Sequence, residues 1–549
     1  MTKVLTWDAF GYYIYLPGIF IYKDIKKMDW VTEIVHKYNT TGPIYQLSKP
    51  LPNGNKSIKY LIGVSLLYSP FFLISHNFAG WLNYPQDGFS APYQIGICLA
   101  ALFYAFLGLY VLRWVLLQYF SDSAAALSLI LIALATNYPQ YVSVESGMSH
   151  GYIFSLYAFL LAATIKWHHR PAKLMAFILG GIVGLGIISR PTEAVMIFIP
   201  LFYGTQDAIK RKEKWALVAK YRTHLVYCAM GGALAISPQL IYWKVVTDNW
   251  IYDVGSKWTF LQPNWQVLFG WEKGWFIYTP VAALMVFGIL YFRKNPFYKS
   301  VLFYFILNLW IVIAWFDWRY GASYSARALI QSYAVLSLPL AAMIQKLLNT
   351  RTRYLLFGLF IFLIYLNIFQ IWQYNKTILH YNDMNRRYYQ AIFLNPNPSP
   401  LEMSLLDTKE YIRNEDLYSV QYEIKVDSQY VINVETKPKA ILYALDLLNI
   451  PGFEPNSEQW LRIKASVMSS WGAFDSNLIT ILSYDAERSK QTSCRMQNGI
   501  SENGKWNLIE YYFEIPIEAH KGELKVMAET KLKQDIFIKE ISIKLLRRK

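Results

Sequence analysis

The chain has 549 residues, of which 54% are hydrophobic and 17% aromatic, while only 16% are charged. That balance excludes an ordinary soluble domain and points to a bilayer as solvent. The net charge of +16 falls largely in short loops between apolar runs, where anionic lipid headgroups are the expected counter-charge, and this argues against a nucleic-acid partner.

Asp8, in WDAFGYYIYLP, is the only carboxylate among the first 22 residues. The apolar stretch 60–82 reads as a helix lying at the outer interface, so 1–93 is expected to form an outer-face region with interfacial helices. Apolar runs then follow at 94–118, 124–142, 150–167, 174–189, 191–205, 224–246, 274–292, 300–316, 328–346 and 353–373. A crossing takes about 20 residues. The pair 174–189 and 191–205 is shorter and is broken at Ser189-Arg190-Pro191, which predicts two half-length or bent helices meeting at a polar elbow.

Lys and Arg gather in the loops 166–173, 207–222, 293–299 and 346–353, and ten crossings place all four on one, cytoplasmic, side. The loops 143–149, 247–273 and 317–327, rich in Trp, Tyr, Gly and carboxylates, then face outward, as does everything from 374 onward. This parity leaves 94–118 without a preceding crossing. Either Val4 to Tyr22 crosses or a helix lies upstream of Met1, and the second is the favoured expectation.

The polar segment 374–400 ends in NPNPSP and reads as a linker after the membrane domain 94–373. Short alternating runs follow over 401–549, among them YSVQYEIKV, QYVINVET, WLRIKASVM, LITILSY, LIEYYFEI, LKVMAET and IFIKEISIKLL. Period-two alternation over seven or eight strands predicts an antiparallel, jelly-roll-like sandwich, for a structural, docking or sugar-binding role. The expected fold class is thus a polytopic α-helical membrane protein of about 10–11 transmembrane helices with a C-terminal all-β sandwich. Cys98, Cys228 and Cys494 lie far apart and read as packing residues.

Charges beside a membrane carry the candidate chemistry. Asp8 can accept a proton from an acceptor hydroxyl; the alternative is a solvated N-terminal carboxylate. Glu145 and His150, in SVESGMSHGY, are placed to orient a hydroxyl or contact a phosphate, against a loop-stabilising Glu and a satisfied His. Arg190 at the elbow needs an anion, either Glu193 or a ligand phosphate. Arg319 and Arg327, in WFDWRYGASYSARAL, are candidate phosphate clamps, with snorkelling to headgroups as the alternative. GGIVGLG at 180–186 lies in an apolar helix, where small residues serve close helix packing rather than nucleotide binding.

The segments WDAFGYYIYLP, GMSHGYIF, SRPTEA, KGWFIYTP (273–280) and YGASYSARAL resemble bacterial members of the GT-C superfamily of polytopic glycosyltransferases, over roughly residues 5 to 373. The resemblance implies an enzyme that moves a sugar, with inversion, from a polyprenyl-phosphate donor in the membrane to a glycan, lipid or protein acceptor on the outer face. It implies Asp8 as catalytic base, Arg190, Arg327 and Arg319 as donor-phosphate contacts, and Glu145, His150 and Lys273 as substrate contacts. It further implies a bacterial inner-membrane location with the C-terminal domain extracytoplasmic. No cofactor and no metal set is expected, Asp8 being followed by Ala9 rather than a second acid. A transporter or flippase of lipid-linked glycans, and a non-catalytic anchor for the β-domain, are the competing readings.

Overall fold

A computed structural model describes residues 4–470, 473, 475–485, 487–499 and 502–549. The chain divides into two compact units, Met1–Ile371 and Trp372–Lys549.

The first unit is helical. Ala91–Leu117, Thr223–Thr247, Arg327–Leu348 and Arg353–Asn375 are long and apolar enough to cross a membrane by length and composition. Shorter apolar helices at Asp122–Leu134, Lys173–Ser189, Pro191–Phe202, Val281–Tyr291 and Tyr298–Ile313 accompany them. The stretch before residue 91 forms the helices Trp7–Tyr13, Tyr15–Phe20, Trp30–Tyr38 and Gly63–Trp81. Helix starts follow local chemistry. The Ser121 hydroxyl accepts from the Ala124 N–H at 3.3 Å, and Asp207 accepts from the Lys210 N–H at 2.8 Å, each satisfying a donor the first turn leaves open.

The glycine-rich run 180–186 packs where close helix contact was expected of it. A Cβ on Gly180 would overlap the Cys228 carbonyl, and one on Gly231 would overlap that of Phe177, so the helices 173–189 and 223–247 meet backbone to backbone. The first of them ends at Ser189, Arg190 is extended at φ −152°, and Pro191 opens a new 3₁₀ turn over Pro191–Ile197. Proline tolerates that first position because its missing N–H has no partner there in any case.

The second unit is a β-sandwich. Its strands are β1 (Tyr418–Val426), β2 (Tyr430–Ile432), β3 (Lys439–Asp446), β4 (Gln459–Ser469), β5 (Ser476–Ser483), β6 (Ser489–Arg495), β7 (Asn507–Ile515), β8 (Glu523–Thr530) and β9 (Ile536–Arg548). One sheet runs β1-β9-β4-β7, with β2 also paired to β9, and the other runs β3-β8-β5-β6. With β1 and β2 taken as two parts of one strand, this is the order of an eight-stranded jelly roll, as the alternating runs predicted. Inward positions line up across the ladder, Ile424 opposite Ile543, Ile543 opposite Ile463 and Ile463 opposite Tyr511. Tyr511 and Thr480 join the two sheets through their hydroxyls at 2.7 Å.

One expectation is corrected here. Residues 374–400 are not a free linker but part of the second unit, whose boundary lies at 371/372. They carry the helix Arg386–Ile392, Asp383 pairs with Arg495 at 2.5 Å, and the Asn385 side chain donates to the Leu405 carbonyl at 2.9 Å. The NPNPSP turn residues serve a helix start, Ser399 and Glu402 forming a capping box on Pro400–Ser404. Strands β3 and β6 lie outside the runs quoted from the sequence. β6 reads SKQTSCR, an edge strand whose inward, buried positions are the small Thr492 and Cys494, so its alternation carries little apolar signal.

Candidate active site

A cavity of about 610 Å³ opens in the helical unit, lined by residues far apart in sequence. Asp8 reaches it from the first turn of Trp7–Tyr13, His150 from the start of Ser149–His169, Arg190 from the elbow, and Arg327 from the turn that leads into Tyr333–Leu348. Asp8 Oδ2 accepts from Arg327 Nη2 at 2.6 Å. Its Oδ1 accepts from the hydroxyls of Tyr45 at 2.8 Å and Tyr60 at 2.6 Å. About a quarter of the Asp8 side chain, 23%, remains accessible, and that part faces the cavity.

The backbone around this pair is held in an unfavourable region. Trp7, Tyr320 and Ser325 adopt φ of 50°, 53° and 55°, left-handed values that cost a bulky residue about 1 kcal/mol or more. Trp7 is pinned by its N–H to the Thr40 carbonyl at 3.0 Å and by Gln46, whose amide donates to the Trp7 carbonyl at 3.0 Å. Ser325 is held by Thr279 through their hydroxyls at 3.0 Å. Such strain persists where surrounding contacts over-determine it, and here it aims the residues on either side of the ion pair.

Burial pushes the Asp8 carboxyl up, but the Arg327 guanidinium and the Tyr60 and Tyr45 hydroxyls outweigh it, so the group sits below the usual carboxylate value and is ionised at neutral pH. The two tyrosines are pushed up by burial and by the carboxylate they serve, and they stay protonated donors.

Arg190 is the other arginine of the cavity wall. The contact formed by its guanidinium is Nη1 to His150 Nδ1 at 3.3 Å, and among the described residues no carboxylate lies within ion-pair reach. Glu193, the internal partner weighed from sequence, is engaged instead by the Tyr157 hydroxyl at 2.5 Å and the Gln331 amide at 3.1 Å. Lys59 and Asp317, both exposed, add a charge of each sign to the cavity wall, and Trp258, Trp315 and Tyr320 add aromatic surface.

The remaining candidates lie elsewhere. Arg319 is bidentate to Glu272 at 2.7 and 3.1 Å and rests over the Trp318 ring, away from the cavity lining. Lys273 Nζ donates to the carbonyls of Arg319, at 2.9 Å, and Gly321, so it braces the turn that carries the wall residues Tyr320 and Gly321. Burial pushes its amine down to about 7, with Arg327 adding to the effect. Glu145 accepts from Gln140 at 3.1 Å, and burial pushes its carboxyl up; it and His150 do not bond each other. The sequence reading missed Tyr45, Tyr60, Lys59, Asp317 and Gln331. None of them left a signal in residue order.

No family model matches the chain, and no curated protein matches it significantly. Partial likeness is found to solved structures. ArnT from Cupriavidus metallidurans in the apo state matches with a TM-score of 0.37 and 12% identity over 60% of this chain and 57% of that one. The same protein bound to undecaprenyl phosphate matches with 0.37 and 13% over the same shares. The archaeal oligosaccharyltransferase AglB from Archaeoglobus fulgidus, in complex with an inhibitory peptide and a dolichol-phosphate, matches with 0.36 and 14% over 71% of this chain and 55% of that one. The chain spans little more than half the length of these proteins, so its function is argued from its own site.

Proposed function

We propose that this protein is a membrane glycosyltransferase that takes a sugar from a polyprenyl-phosphate donor and passes it, with inversion, to a hydroxyl on a glycan, lipid or protein. The observation that carries this reading is the pairing, in one cavity, of an ionised Asp8 with an Arg190 that has no carboxylate partner. A half-buried guanidinium without a carboxylate partner is a seat for a phosphate, and sugar transfer from a lipid phosphate builds negative charge on that leaving group. The positive charge that develops at the sugar carbon is met by the Asp8 carboxylate. Arg327 and the two tyrosines keep that carboxylate ionised and fixed, and it takes the acceptor proton late, once bond formation has made the hydroxyl acidic. In this reading Arg327 is the partner of the base rather than a phosphate contact, and Lys273 and Arg319 shape the wall. The location is the bacterial inner membrane, with the outer loops and the β-sandwich extracytoplasmic.

The test is transfer in membranes from radiolabelled polyprenyl-phosphate sugars by wild type, Asp8→Asn and Arg190→Ala at matched expression. Transfer lost in both variants upholds the reading. Undiminished transfer in Asp8→Asn removes the base, and no transfer by wild type turns attention to transport of lipid-linked glycans.

A further inference from the structure

The hydrogen bonds around His150 assign its protons. Gln331 gives its amide N–H to Glu193 Oε1 at 3.1 Å, so its Oε1 is the atom 3.2 Å from His150 Nδ1. Two acceptors cannot bond each other, and Nδ1 therefore carries a proton and donates. Arg190 Nη1, 3.3 Å from the same Nδ1, then has no lone pair to meet there. Glu193 is itself held by the Tyr157 hydroxyl, so the chain Tyr157, Glu193, Gln331 fixes the imidazole from behind. What the ring offers to the cavity is its other edge. His150 Nε2 has no hydrogen-bond partner among the described residues, is not among the enclosed polar atoms, and carries a lone pair once Nδ1 holds the proton.

Resting on the reading of Arg190 as a phosphate seat, we propose that His150 completes that seat, its Nε2 taking one proton from water as a phosphomonoester dianion binds and then donating to a phosphate oxygen. In the empty cavity, burial first and then the cations Arg190 and Arg327 oppose a positive charge on the ring. A dianion beside Arg190 reverses that field. Tyr141 faces the ring edge-on at 5.8 Å and, like Tyr12 on the helix Trp7–Tyr13, brings a neutral hydroxyl. Of the nearby carboxylates, Glu193 lies behind Gln331, Asp8 is tied to Arg327 and Glu145 accepts from Gln140, while Asp317 is an exposed residue of the cavity wall. The device suits a leaving group that gains charge, because the donor phosphodiester is a monoanion and the released lipid phosphate a dianion above its second pKa of about 6.

The experiment is calorimetric titration of the purified full chain with a short prenyl phosphate at pH 7.5, in two buffers of different ionisation enthalpy. Wild type is expected to take up about one proton per phosphate bound, and His150→Asn close to none, with affinity reduced about tenfold. Inorganic phosphate as a second titrant identifies the source: uptake with either ligand upholds the seat, and the tighter ligand shows whether the phosphate is lipid-borne or free. Binding by wild type without proton uptake overturns the role of His150 and leaves the Arg190 seat standing, whereas no binding overturns the seat itself. If His150→Asn does not fold, the wild-type affinity decides, since a fall of about tenfold per pH unit at the alkaline end upholds the proposal and a flat profile up to pH 9 overturns it.

Discussion

Asp8 and Arg327, 319 positions apart, meet at 2.6 Å inside the cavity of the helical unit. Each makes the other's burial tolerable, and among the described residues neither forms a second ion pair. Removing one partner of such a pair leaves an uncompensated charge, which costs of the order of 3 kcal/mol. Arg327→Ala is therefore expected to lower thermal stability in detergent sharply, and Asp8→Ala/Arg327→Ala less than Arg327→Ala alone. An additive double variant would show that the pair contributes no coupling.

The same pair sets an acid limit. Asp8 has its folded pKa below the ordinary 3.8, so its contribution to stability is fully present above that value and is lost as pH falls through the lower, folded one. Between pH 5 and 8 the Asp8 ionisation is expected to add no slope to stability or to transfer rate. An Asp8-dependent acid limb near pH 5 or above, absent from Asp8→Asn, contradicts this.

Lys273 works in the opposite window. Its amine falls from 10.5 to about 7 on folding, so between those values the unfolded chain binds the extra proton and stability rises with pH. Lys273→Met is expected to flatten the rise in melting temperature between pH 7 and 10. It also frees the 319 and 321 carbonyls, so it is expected to be less stable than wild type well above pH 10.5, where the amine is neutral in both states.

Helix contact gives a paired prediction. Gly231→Ala drives a methyl into the Phe177 carbonyl and is expected to destabilise by about 1–3 kcal/mol. Gly358→Ala, in the helix Arg353–Asn375 with nothing within 4 Å, is expected to be neutral or to gain about 0.5–1 kcal/mol. Equal melting temperatures for the two would contradict the close crossing.

In the sandwich, Ile543→Ala empties a position at the centre of the inward row and is expected to cost about 2–5 kcal/mol. Val420→Ala, 54% exposed on β1, is expected to cost under about 0.5 kcal/mol. Local melting followed by hydrogen exchange of β4 and β9 separates them.

Much of this architecture was legible from residue order. Long apolar runs marked Ala91–Leu117 and Arg353–Asn375 within a few residues, because a bilayer-length helix needs only composition. Ser189-Arg190-Pro191 marked the elbow, because proline restricts its own φ and the residue before it. Strand β4 was visible because its buried and less buried positions alternate, and β7 and β9 because they are long runs rich in apolar residues. The polar edge strand β6 and the packed segment 374–400 were hidden, since pairing to a neighbour or to a folded unit leaves no periodicity behind.

For the site, the sequence could name the charges that a membrane-associated chain would not carry without cause: Asp8, His150, Arg190 and Arg327 all line the cavity. It had no means of pairing them. Asp8 took Arg327 and two tyrosines, Arg190 was left without the Glu193 three residues away, and Arg319 and Lys273 turned to Glu272 and to backbone carbonyls. Residue type depends on the solvent around a single position and can be read locally; a partner depends on which distant segments are brought within 3 Å, and that geometry exists only once the helices have packed.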